Sequence, residues 1–226
     1  VLDGVITAVR QAETTLDGVV IWHEPPFAVG ANLAQVSEAC AAGQFDRLDQ
    51  TIEKFQRASQ TLKYAQVPVV AAVQGMALGG GCEFVMHAGK RVMALESYVG
   101  LVEAGVGVIP AGGGCKEFAM RAADWAAQSA TPGEVFNYLQ PVFQTIAMAK
   151  VAKSAVETVE FGFAKPTDTI LFNPHELLWV AIREARTMAD AGYAPPPMGR
   201  DIPVAGKTGI ASFEMMLVNM KEGGMI

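Results

Sequence analysis

Two glutamates and a run of glycines carry the chemistry that this 226-residue chain could perform. Glu83 follows Gly79, Gly80 and Gly81 in "LGGGCEFVMHA", and Glu103 comes twenty positions later in "YVGLVEAGVGVIPAGGG". Both have small and apolar neighbours. A carboxylate in such surroundings is costly to bury unless it is paired or functional, and desolvation raises its pKa toward values suited to proton transfer near neutrality. The pair therefore reads as acid–base equipment. A structural reading competes: a capping role for Glu83 and backbone hydrogen bonds for Glu103 would account for either one alone.

The glycines stand where an apolar, strand-like segment gives way to a helix. The N–H groups of Gly80 and Gly81 are then among the unpaired donors at the helix start, at its positive dipole end. Without a Cβ in the way, a carbonyl oxygen gaining negative charge can approach them, which is half of an oxyanion hole. The alternative is that small residues only let the helix pack close to the strand, and composition alone does not separate the two.

Other motifs lack their partners. "AGKTG" at 205–209 would need a glycine at position 201 to be a phosphate loop, and Asp201 stands there, so a surface turn is expected. "GVGVIPAGGG" has Pro110 where the third glycine of a dinucleotide fingerprint belongs. His23, His87 and His175 are isolated and read as ordinary interior or surface histidines, and no serine sits in a GxSxG elbow.

The elements that must position these residues follow from hydrophobic periodicity. Leu2, Val5, Ile6 and Val9 predict a helix, Val19 to Trp22 a short buried strand, and "FDRLDQTIEKFQRASQTLKY" (45–64) a long amphipathic helix with Leu48, Ile52, Phe55, Ala58 and Leu62 on one face. "VPVVAAVQG" reads as a buried strand, "CEFVMHA" as a short helix and "RVMAL" as a strand. The alternation favours a layered α/β core with parallel strands. From Cys115 the chain turns mostly helical, with "TDTILF" as one more strand and "APPPMGRDIPVAGKTG" as a connector. The tail places Ile210, Phe213, Leu217 and Met220 on one stripe.

Composition agrees with a well-buried globular protein: 51% hydrophobic and 18% charged residues. The net charge of −6 argues against a general nucleic-acid or anionic-membrane surface. Cys40, Cys82 and Cys115 show neither disulfide-framework nor metal-ligand spacing and read as reduced thiols of a cytoplasmic protein. No apolar run reaches the roughly 18 to 20 residues that span a bilayer, and the first residues lack a signal segment.

Together, "PVVAAVQGMALGGGCEFVMHA" and "YVGLVEAGVGVIPAGGG", within Pro68 to Gly114, resemble the signature region of the enoyl-CoA hydratase/isomerase (crotonase) superfamily, and "PFAVGANLAQV" (26–36) resembles its first oxyanion loop. The resemblance is specific at the glutamates and the triple glycine, runs less sharply through 147–185, and is weak over 121–146. It implies an α/β fold, a crotonase-like spiral of ββα units over residues 1–120, with a helical C-terminal region of the same domain over 121–226. Carried over, the oxyanion donors are the backbone N–H groups of Ala31 and Gly80, and Gly30, Gly79, Gly81 and Ala111 line the substrate. Glu83 is the main base on water and Glu103 exchanges the proton at Cα.

Two carboxylates favour hydration of a trans-2-enoyl-CoA over the alternatives, enoyl-CoA isomerisation or a non-catalytic acyl-CoA-binding or oligomerisation module. The coenzyme A thioester is then the substrate and this chain needs no cofactor. Asn32 and Ala111 depart from the family's common aspartate and glycine, and the Ala111 methyl is expected to crowd the water site. The chain opens at Val1 inside the family's first helix, without the usual strand hairpin, as a part of a large bifunctional fatty-acid oxidation protein would. A separate 3-hydroxyacyl-CoA dehydrogenase region would bind NAD there. A homo-trimer or dimer of trimers is implied as well. Lys54, Arg57 and Lys63, on one stretch of helix, read as a solvated face rather than as a CoA-phosphate site.

Overall fold

The computed structural model describes residues 1–129 and 134–225, so residues 130–133 of the weakly matching segment lie outside the described residues. Its centre is a five-stranded sheet built from β1 (Val19–Trp22), β2 (Val69–Leu78), β3 (Lys90–Gly100), β4 (Val151–Ala152) and β5 (Thr169–Leu171). The strands β1, β2 and β3 run parallel, as their β-branched and apolar runs predict, and β5 pairs in parallel with the first half of β3. Only β4 is antiparallel, against the end of β3.

Side chains alternate across β2 and so feed two cores. Val70 and Ala72 face Leu177, Ala181 and Ala185 on one side of the sheet. Val69, Ala71 and Val73 belong to the clusters on the other. Burying such a side chain contributes about 1.5–3 kcal/mol, so this two-faced strand is a main source of fold stability. The expectation of a buried β1 is corrected. Its residues are half-buried and Trp22 is 42% exposed, because β1 is an edge strand paired on one side among the described residues.

The helices in the first half are α1 (Leu2–Thr15), α2 (Leu33–Ala41), α3 (Phe45–Lys63) and α4 (Gly80–His87). In α1, Ile6 and Val9 pack with Leu62 of α3 and Phe84 of α4. The face read on α3 is covered only toward its end. Ala58 and Leu62 are buried, while Ile52 is 37% exposed. The second half contributes α5 (Gly114–Ala127), α6 (Val135–Ala147), α7 (Ala155–Glu160), α8 (Leu177–Asp190) and α9 (Gly206–Glu222). In α9, Phe213 stacks on Phe143 and Met220 is buried, but Ile210 and Leu217 of the same stripe stay exposed. The surface turn expected at "AGKTG" is instead the opening of α9, with Gly209 buried. A connector, not a strand, leads into it, which removes the phosphate-loop reading a second time.

The strands bend midway. Between Val73↔Met93 and Gly75↔Ser97 the register slips, with Gly75 at φ +68°, and the buried Ser97 hydroxyl donates toward the carbonyls of Val73 and Ala94. A side chain at Gly75 would be strained at that φ and would press on Pro25. The bend separates the sheet-forming half of β2 from the half that ends at the glycine run.

Candidate functional site

The second half of β2 carries a companion segment. Ala28 pairs in parallel with Ala77, the Ala28 N–H donates to the Met76 carbonyl at 3.1 Å, and Leu78 N–H donates to the Ala28 carbonyl at 2.9 Å. This pairing lays Gly30 and Ala31 beside Gly79 and Gly80. A Cβ on Gly30 would stand 3.3 Å from the Gly80 nitrogen, and Gly30 itself sits at φ +84°. Neither Ala31 N–H nor Gly80 N–H has an acceptor among the described residues. Two N–H donors without an acceptor thus lie on neighbouring segments, one of them at the start of α4.

Each glycine of the run has its own task. Gly79 adopts φ 55° and ψ −123°, a conformation that L side chains rarely take, and its N–H is occupied by the Gly100 carbonyl at 2.9 Å. Gly80 keeps its N–H free. Gly81 packs against Ala28: a Cβ there would fall 2.6 Å from the Ala28 carbonyl oxygen. For Gly81 the close-packing reading is therefore the apt one. The departure at Asn32 is harmless locally, since its Oδ1 caps α2 by accepting N–H bonds from Ala34 and Gln35 at 3.1 and 3.3 Å.

Glu83 lies one turn into α4 and is buried. Its Oε1 accepts the Gly114 N–H at 2.8 Å, so the start of α5 holds this carboxylate. Burial pushes its pKa up to about 7, against the N–H groups of Gly114, Gly112 and Gly113, while the charge of Glu103 adds to the rise. Glu103 opens a short 3-10 turn, Glu103–Val106, just after β3. Its Oε1 lies 3.4 Å from where a Cβ of Gly79 would be, and its Oε2 is buried with no hydrogen-bond partner among the described residues. Burial raises its pKa too. The structure thus brings together Gly30, Ala31, Gly79, Gly80, Glu83 and Glu103. Two neighbouring carboxyl groups, both with raised pKa values, can serve one as an acid and the other as a base.

Residues 110–114 complete the enclosure. Ala111 precedes Gly112 on the turn, and its carbonyl accepts the Gln56 side-chain amide at 2.8 Å. A Cβ on Gly112 would overlap both Phe55 and Glu83 Oε2. Phe55 of α3 is stacked on Phe84 of α4, with ring centroids 4.9 Å apart. The periodicity of α3 identified Phe55 only as a core position. Nothing local in the sequence marks the contacts of Phe55 and Gln56 with a turn more than fifty residues away. Two surface cavities, of about 410 and 450 Å³, lie elsewhere, between α6 and α9 and beside Gly75 and Phe172.

Behind Glu83 lies a buried ionic cluster that the sequence did not reveal. His87 is not isolated. Its Nδ1 lies 2.6 Å from the Glu83 carbonyl, its Nε2 lies 3.5 Å from Glu117 Oε1, and burial lowers its pKa to about 4. Lys63 is not part of a solvated face either: its Nζ sits 2.5 Å from Glu117 Oε1, where it joins α3 to α5. Lys54 instead pairs with Asp3 at 2.9 Å. Burial alone would raise the pKa of Glu117, but its cationic neighbours hold it at about 2. The His87 charge is the largest lowering cause, followed by Lys116 and Lys63, and with His87 neutral above pH 4 the two lysines are the cations that face Glu117 at neutral pH.

Removing Lys63 leaves Lys116 to compensate the buried carboxylate, and Lys63→Ala is expected to lower stability by about 2 kcal/mol in urea unfolding at pH 7. Because the folded pKa of Glu117 is depressed, its stabilisation is present above about pH 4.5 and is lost as the pH falls toward 2. The difference between Lys63→Ala and the parent should shrink over the same range.

Among the described residues no group of three or more His, Cys, Asp or Glu is placed to hold a metal ion, and no helix is long and apolar enough to cross a membrane. Residues 1–132 match the family model described as enoyl-CoA hydratase/isomerase. A Bacillus subtilis (strain 168) protein described as a "probable 3-hydroxyacyl-CoA dehydrogenase" is 38% identical over 218 residues, covering 96% of this chain and 27% of its own length. The fatty acid oxidation complex subunit alpha of Colwellia psychrerythraea (strain 34H / ATCC BAA-681) is 29% identical over 110 residues, 49% of this chain and 15% of that protein. The chain therefore spans about a quarter or less of these relatives. The crystal structure of an enoyl-CoA hydratase from Polaromonas sp. JS666 superimposes with a TM-score of 0.65 at 21% identity, over 84% of this chain and 66% of that one, which establishes the shared fold.

Proposed function

The chain belongs to the enoyl-CoA hydratase/isomerase family, and on that premise we propose that it adds water to a trans-2-enoyl-CoA, giving the 3-hydroxyacyl-CoA. The observation that carries this reading is the nearness of two carboxyl groups with raised pKa values, Glu83 buried and Glu103 half-buried, to two unpaired backbone N–H groups. The thioester oxygen would accept from Ala31 and Gly80. Glu83 takes a proton from water as the oxygen bonds to Cβ, electron density moves through Cα onto the carbonyl oxygen, and Glu103 passes a proton to Cα that the one taken by Glu83 replaces. The reaction needs no cofactor, because water and the two carboxyl groups account for every atom and proton moved.

In the whole protein, a separate dehydrogenase region using NAD would consume the 3-hydroxyacyl product. The name and greater length of the Bacillus relative support that placement. Exposed apolar residues on α9, among them Ile210, Met215 and Val218, suit a homo-trimer or hexamer, and the free cysteines suit a reducing cytoplasm.

Incubation with crotonyl-CoA should remove the ultraviolet absorbance of the conjugated enoyl thioester, and Glu103→Gln should slow this about 100-fold. An unchanged rate in that variant would exclude Glu103 as the acid. Conversion of a 3-enoyl-CoA without uptake of water would reassign the site to isomerisation.

A further inference from the structure

Phe55 reaches across both halves of the site. A Cβ on Gly80 would stand 2.9 Å from its Cε2 and Cζ atoms, and one on Gly112 would overlap its Cδ1 and Cε1 atoms. The ring therefore runs from the oxyanion glycine to the glycine that borders Glu83 Oε2. It is also held there. Phe84 stacks on it at an interplanar angle of 22°, and the next residue, Gln56, is bonded to the Ala111 carbonyl. A ring fixed from two sides is not a freely swinging gate.

In an enoyl thioester whose oxygen meets Gly80 and whose Cβ meets the water beside Glu83, the fourth carbon is directed past that carboxylate. We infer that Phe55 closes the acyl end of the site and restricts it to short-chain enoyl thioesters, of about four carbons. This deepens the hydratase reading and rests on it for the placement of the thioester. Longer chains have to displace a half-buried ring that is held by its stack on Phe84, and a ring packed in this way resists displacement.

The test compares crotonyl-CoA with trans-2-decenoyl-CoA as substrates, and butanoyl-CoA with decanoyl-CoA as non-reacting ligands in calorimetry. The parent chain should favour the four-carbon member by roughly tenfold or more in kcat/KM and in Kd. Phe55→Ala should reduce that preference by about tenfold, with Phe55→Leu intermediate and serving as the variant that keeps the fold if alanine does not. Equal handling of both chain lengths by the parent, or an unchanged ratio in the folded Phe55 variants, would overturn the inference. Chain-length discrimination in binding without any turnover would support the role of Phe55 while counting against hydration. Failure to bind either thioester would overturn both.

Discussion

Glu83→Gln is expected to slow hydration of crotonyl-CoA by about 1,000-fold and, at the same time, to make the fold more stable at pH 8. The activity falls because the amide cannot take a proton from water, although it keeps an oxygen that can accept the Gly114 N–H. The stability rises because the parent carboxylate is ionised in a site that disfavours the charge. Its pKa is raised from 4.5 to about 7 by burial. A raised carboxyl pKa means that the folded state binds more protons than the unfolded state between those values, so stability is lost as the pH rises from about 4.5 to 7. At 1.36 kcal/mol for each tenfold change in proton affinity, the parent forgoes about 3 kcal/mol at high pH. Urea midpoints should therefore diverge, with Glu83→Gln close to the parent at pH 5 and above it at pH 8. In the parent, kcat/KM should fall below about pH 7 as Glu83 gains its proton. A variant that is equally active, or no more stable at pH 8, would remove Glu83 from the role of desolvated base.

Gly81→Ala is the second large effect. Its new methyl carbon would stand 2.6 Å from the Ala28 carbonyl oxygen and 2.8 Å from the Ala28 Cβ. Both positions belong to a backbone segment pinned to β2, so the segment has to shift as a unit. The expected cost is about 2 kcal/mol of stability. The larger consequence is functional, because that segment continues into Gly30 and Ala31 and the displacement moves one oxyanion donor away from the other. Misplacement near 1 Å is enough to lose about 100-fold in rate. Thermal unfolding together with crotonyl-CoA kinetics checks both parts, and the loss should appear in kcat more than in KM, since the oxyanion forms only in the transition state. A Gly81→Ala variant with normal kcat would show that the Ala28–Ala31 segment does not hold a donor.

The contrast between Glu83 and Lys63 shows what the sequence made legible. Glu83 could be singled out because its signals are local: a glycine run, an apolar helix and a second carboxylate at short range. The parallel strands were readable for the same reason, from continuous apolar runs between helices. Lys63 looked solvated because a helical surface pattern describes only its own helix. Its partner Glu117 lies 54 positions along the chain and is recruited by the packing of α5 on α4. The pattern of β1 misleads in the opposite sense. Its sequence is as apolar as a central strand, but burial depends on neighbours that a pattern within the strand does not contain. The periodicity of α3 places Phe55 on the right face but cannot assign its role, since facing the interior and facing a reactive crevice leave the same periodic trace. Glu117 itself left a faint signal as an acid beside Phe118 on a helix face that also buries Ala122, Ala123 and Ala126.

The bend in the sheet also sets a rule of parity. Between its two paired stretches β2 advances from Val73 to Gly75 and β3 from Met93 to Ser97, so β3 carries an even surplus. An even surplus leaves inward positions inward, and Met93, Val99 and Leu101 all enter the same core. An odd change in length here would turn every later side chain of β3 to the opposite face and carry Glu103 away from the glycines with them. Changes in length among homologous chains should therefore come in pairs at this point, a constraint imposed by counting rather than by the identity of any residue.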